Sequence, residues 1–174
     1  MSADTISLSA TGQGWRTLGP FTPQPNNDPS NNYVVGNCGY DPPPGNSGCN
    51  SGEFRNFFQF SIPSFSGTLV SADLVLYPLD IELLQSPSLT YQVTSLPGSF
   101  VFGDLGTGTF YGSRTYTSAD ALGPALAISL DADALNAIMA AAGGAFGVGG
   151  RVTSATLFGN TELNQVAFSH SGGA

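Results

Sequence analysis

Two alternating apolar runs, EFRNFFQFSI (53–62) and TLVSADLVLY (68–77), flank the turn PSFSG, and no other feature constrains the fold as tightly. In the first, Phe54, Phe58, Phe60 and Ile62 point one way with Asn56 among them. Glu53, Arg55, Phe57, Gln59 and Ser61 point the other way. In the second, Val70, Ala72, Leu74 and Leu76 oppose Leu69, Ser71, Asp73, Val75 and Tyr77. Period-two alternation is the mark of a strand, and one strongly apolar face beside one mixed face is the mark of a sheet covered on one side by a second sheet.

The same reading along the chain predicts a first strand in DTISLSATG, continued after a kink at Gly14. Short strands follow at 32–36, 89–96, 109–116, 125–130, 145–148 and 164–169. One helix stands out in LDADALNAIMAAAGG, with Asp131 or Asp133 as N-cap, a run from Ala134 to Ala142, and Gly143-Gly144 as the stop. Leu135, Ile138 and Met139 share a face suited to plugging one end of the fold. With 23 glycines, 12 prolines and 12 phenylalanines, short strands joined by turns are expected instead of helices. The expected fold is all-β: an antiparallel β-sandwich of jelly-roll type with one short helix capping an end. At 174 residues the chain makes one domain, 1–174, with a long Pro/Asn loop at 20–32.

Only 9% of residues are charged; the cations are Arg16, Arg55, Arg114 and Arg151, and the net charge is −8. No basic patch for a nucleic-acid backbone is expected from four arginines against twelve carboxylates. The acidity serves solubility, or else cation binding. No apolar stretch reaches transmembrane length, and the longest small-residue run, AIMAAAGGAFGVGG, is broken by paired glycines.

Cys38 and Cys49 lie in the turn-rich segment NCGYDPPPGNSGCN with no histidine or third cysteine beside them, so a zinc site lacks ligands. A disulfide closing the 38–49 loop would stabilise the fold by roughly 2–3 kcal/mol and would fit an oxidising compartment; the alternative is two reduced, buried thiols. A structural calcium ion would need hard oxygens, for which Asp131 and Asp133 with Asn136, or Asp28 and Asp41, are the candidates. No cofactor is required by any motif.

Catalytic chemistry finds little footing. The single histidine, His170, lies in the small-residue tail FSHSGG, without a Gly-x-Ser-x-Gly elbow in the chain. A glycosidase would draw on Asp73, Asp80, Glu82 or Asp104. A non-catalytic chain is the expectation. Ligand contact would fall to aromatic faces and hydrogen-bonding side chains: Trp15, Tyr33, Tyr40 and Arg55 first, with Tyr91, Tyr111 and Tyr116 behind them. Arg55 is also expected to tie a loop from the Pro/Asn segment onto the sheet, with Asp73 as an opposing carboxylate.

The string NNYVVGN…FRNFFQFSIPSFSGTLVSADLVLYPLD, with FGDLGTGTFYGSRTYT and LNAIMAAAGGAFGVGG downstream, resembles exported bacterial β-sandwich domains of the kind found in PEP-CTERM-sorted proteins. The Arg55–Phe60 strand followed by Ser71–Tyr77 is more distantly similar to DNRLRE-type carbohydrate-binding modules. The resemblance implies a secreted or cell-surface protein, for which a chain opening Met1-Ser2-Ala3-Asp4 would be the mature form. It implies a biofilm or surface matrix role, with polysaccharide or like subunits as partners. Two functions are expected from it: a polysaccharide-binding module, or a self-assembling subunit of a filament or surface layer.

Overall fold

The computed structural model describes residues 4–17, 33–37, 53–83, 87–96, 98, 100–154 and 164–168. Ten strands follow in chain order. They are β1 (Gly12–Thr17), β2 (Tyr33–Asn37), β3 (Glu53–Ser61), β4 (Asp73–Leu76), β5 (Pro78–Leu83), β6 (Leu89–Ser95), β7 (Phe110–Tyr116), β8 (Leu126–Ser129), β9 (Ala145–Val152) and β10 (Asn164–Phe168). A 3-10 turn (Ser118–Asp120) precedes β8, and the helix α1 (Ala132–Ala140) lies between β8 and β9.

The pairing is nested. β2 pairs β10, β3 pairs β9 and β4 pairs β8, all antiparallel, around the innermost hairpin β6–β7. A long antiparallel ribbon rolled onto itself gives this order, which is the jelly-roll arrangement of a sandwich. Pro78, which has no N–H to give a ladder, interrupts what would be one long strand. Its β5 half pairs β10 and its β4 half pairs β8. One layer is therefore β2, β10, β4/β5 and β8; the other is β1, β3, β9, β6 and β7. At Gly36↔Phe54 and Asn37↔Glu53 the hydrogen bonding runs on from the first layer into the second.

The core lies between the layers. Tyr33, Val35, Leu74, Leu76, Ile81, Ile128 and Phe168 from the first layer meet Phe58, Leu89, Tyr91, Val93, Tyr111, Tyr116, Phe146, Val148 and Val152 from the second. Rings interlock across the gap: Tyr33 with Phe58 at 5.8 Å, and Phe168 with both Tyr91 (5.2 Å) and Tyr116 (5.5 Å), all edge-on. Asn56 is an inward polar residue, its Oδ1 accepting from the Tyr91 hydroxyl at 2.8 Å.

Five expectations need correction. The first strand is Gly12–Thr17 and not the segment before it, whose residues 4–9 are exposed. The second run of the opening pair forms a strand only at Asp73–Leu76; Val70, expected inside, is 75% exposed. β5 lies outside the expected strands, and β9 runs past the expected end at Val148 to Val152, through Gly149 and Gly150. Finally, α1 turns Ala134, Ala137, Ile138 and Ala141 to the core, so its packing stripe is mostly alanine and brings the helix close to the sheet.

Candidate functional site

Alternation in β6 sends Leu89, Tyr91 and Val93 into the core, which leaves Thr90, Gln92 and Thr94 on the outer face of the second layer. The registers then set those residues in rungs. Gln92 stands opposite Arg151 on β9 and Ser113 on β7. Thr90 pairs with Thr115, their hydroxyls 3.1 Å apart, and its carbonyl accepts from the amide of Thr153 at 3.0 Å. Thr94 lies between Gly149 and Phe110, past a β-bulge that turns Tyr111 inward. The face thus carries a row of hydroxyls, a row of guanidinium, amide and hydroxyl, and a phenylalanine ring that is 47% exposed.

A loop walls this face on one side. Phe100 packs on Phe57 with centroids 4.5 Å apart, and Leu105 is fully buried. Arg55 clamps the loop: its Nη1 donates to the carbonyls of Leu105 (3.1 Å) and Phe102 (3.4 Å), and its guanidinium lies 4.2 Å from the Phe102 ring centroid. The other edge of the guanidinium is held bidentately by Glu53 at 2.7 and 3.2 Å. Gly106, at φ +70°, rests on the aliphatic stem of Arg151, where a Cβ would come within 2.6 Å of it.

Arginines gather here. Arg16 is the cross-strand partner of Arg55, and Arg55 and Arg151 stand one step beyond the last β3–β9 rung, Asn56↔Gly150. Arg16 lies 5.3 Å from the Phe57 centroid and donates to the Trp15 carbonyl at 2.9 Å. Three of the four arginines of a chain with net charge −8 therefore share one outer face.

The residues named from sequence are scattered. Arg55 does tie a loop, but the loop is 100–106 and the carboxylate is Glu53; Asp73 instead accepts from Ser129 Oγ at 2.8 Å in the other layer. Trp15 is half-buried on the edge strand β1, edge-on to Phe54 at 5.0 Å. Tyr33 is 1% exposed, so its ring belongs to the core and not to a ligand surface. Tyr91, Tyr111 and Tyr116 are buried likewise. Asp131 caps α1, accepting from the Ala134 amide at 3.0 Å, and Asp133 is exposed in the first turn. Among the described residues no three His, Cys, Asp or Glu side chains converge. Tyr40, Cys38, Cys49, Asp28, Asp41 and His170 lie outside the described residues.

Sequence reasoning passed over Thr90, Gln92, Phe110, Ser113, Thr115 and Arg151. The alternation of LTYQVTS held the signal, since tyrosine inside a strand places its polar neighbours outside. Burial pushes the Tyr91 phenol well above the ordinary tyrosine value, reinforced by Tyr116, while its bond to Asn56 works the other way. Tyr116 and Tyr111 are raised too, first by burial. Burial keeps these phenols neutral in the core. No helix among the described residues is long and apolar enough to cross a membrane. No family model and no curated protein matches the chain.

Proposed function

We propose that the protein is a non-catalytic extracellular module that binds polysaccharide across the outer face of β9, β6 and β7. The observation that carries this is the set of adjacent rungs Arg151–Gln92–Ser113 and Thr153–Thr90–Thr115 beside the half-exposed ring of Phe110. A sugar ring offers equatorial hydroxyls at its rim and an apolar C–H face. Amide, hydroxyl and guanidinium groups suit the first, and an aromatic ring suits the second. Strands hold these side chains at fixed spacing, so an extended chain of sugars meets a prearranged row. Resemblance to exported β-sandwich domains supports a secreted or cell-surface setting.

Affinity electrophoresis of the purified protein through gels containing neutral and acidic polysaccharides tests the proposal. Retardation by at least one polymer, lost in Gln92→Ala/Phe110→Ala, is the expected result. Unretarded migration in every gel would remove it.

A second reading, self-assembly with like subunits, is favoured by one feature. Val75, Tyr77 and Leu79 alternate outward along β4 and β5, from 38 to 52% exposed. Leu122, 80% exposed at φ +54°, stands beside them, its N–H donating to the Pro78 carbonyl at 3.1 Å. A row of exposed apolar side chains suits a second copy of the same face. Sedimentation velocity at rising concentration would show association that Val75→Thr/Tyr77→Ser abolishes; a monomer at all concentrations would dismiss it.

A further inference from the structure

The arginines of the outer face are not equivalent. Arg55 is held by Glu53 and two carbonyls, and Arg16 donates to the carbonyl of Trp15. Arg114, on the inward side of β7, donates to the Ala127 carbonyl at 3.0 Å. Arg151 alone among the four has no hydrogen bond or carboxylate partner among the described residues, and its Nε is buried with nothing to receive its proton. Its stem is pinned beneath Gly106, so the guanidinium is preorganised although no group among the described residues uses it. It is partly exposed and stands on the rung it shares with Gln92 and Ser113. A preorganised cation left unpaired in a protein of net charge −8 calls for an anion from outside.

We infer that Arg151 is a carboxylate-binding position and that the polysaccharide is a polyuronate, one carboxylate of which is received by the Arg151 guanidinium while Gln92 and Ser113 take the neighbouring hydroxyls. This rests on the glycan-binding reading of the face. A single unpaired guanidinium matches one negative charge per sugar. A densely charged polyanion would bring more charge than this acidic protein neutralises. The guanidinium fork also fits a planar carboxylate better than an ammonium does.

Binding of a homopolyuronate and of the same polymer after carboxyl reduction is measured by isothermal titration calorimetry. The proteins are the wild type, Arg151→Gln, Arg151→Lys and Gln92→Ala/Phe110→Ala, each checked for folding by circular dichroism. Arg151→Gln keeps most of the stem beneath Gly106, and Arg151→Lys keeps stem and charge, so the inference does not hang on one variant folding. The wild type is expected to bind the polyuronate about tenfold more tightly than the reduced polymer, the worth of one charged hydrogen bond. Arg151→Gln should bind both alike, Arg151→Lys should fall between, and rising salt should narrow the preference. Equal binding of the two polymers, unaffected at Arg151 but lost in Gln92→Ala/Phe110→Ala, would overturn this inference and leave the glycan face standing. No binding to either polymer would overturn this inference alone, and polyuronate binding insensitive to all three variants would overturn both.

Discussion

Gly150 shows how narrowly single residues are specified in this sandwich. It faces inward on β9, where a Cβ would run into the hydroxyl and ring of Tyr91. That ring is fully buried and cannot yield, because its hydroxyl is bonded to Asn56 and its edge meets Phe168. Gly150→Ala is therefore an overpacking change, expected to cost about 2–3 kcal/mol in urea denaturation. Tyr91→Phe acts differently. Asn56 Nδ2 is already buried without a partner, and losing the phenol would strip Oδ1 as well. The expected cost is about 1–3 kcal/mol with the ring packing retained. Should Gly150→Ala prove neutral by denaturation, the close approach of β9 to Tyr91 would be wrong.

Among elements, the loop joining β6 to β7 is tied to the sheet by Arg55. Its carbonyls at Phe102 and Leu105 accept from that side chain, and Phe100 and Leu105 seal Phe57 beneath it. Arg55→Met retains the aliphatic stem yet removes the donors and leaves Glu53 unpaired, so residues 101–106 should exchange amide protons faster while β3 stays protected. Hydrogen exchange read by mass spectrometry separates that result from general unfolding. Much of this level was legible in the chain. The alternation of EFRNFFQFS gave both faces of β3, and the Asp131 cap with the Gly143 stop located α1. What escaped depended on distant partners. β9 carries Gly147, Gly149 and Gly150, which argue against a strand in isolation; they are there because Leu96, Leu105 and Tyr91 press against that strand from both sides. β5 escaped because Pro78 reads as a stop, whereas the strand resumes there with β10 as its new neighbour. Periodicity puts Phe57 on the mixed face of β3, and Phe100 of the loop held by Arg55 packs over it. The binding face was hidden for the same reason: which of Thr90, Gln92, Ser113 and Arg151 share a rung is set by register between strands far apart in sequence.

At the scale of the whole molecule, nesting makes opening all-or-none. β10, the last strand described, pairs with β2, and its Phe168 stands against Tyr91 and Tyr116 of the innermost hairpin. No layer can peel away without exposing those rings. The three raised phenols turn this into a pH dependence. In the unfolded chain tyrosines ionise near pH 10, whereas burial holds Tyr91, Tyr111 and Tyr116 protonated above that value in the fold. Above about pH 10 the folded state therefore binds more protons than the unfolded one, so stability falls as pH rises, and below that value these groups leave it unchanged. Urea midpoints should accordingly be flat on this account from neutral pH to about 9 and decline beyond 10. Phenolate absorbance at 295 nm should then show these tyrosines ionising only together with the loss of near-ultraviolet circular dichroism. Their titration inside a protein that keeps its near-ultraviolet signal would mean that the layers part locally, and that the nested pairing does not hold the core as one unit.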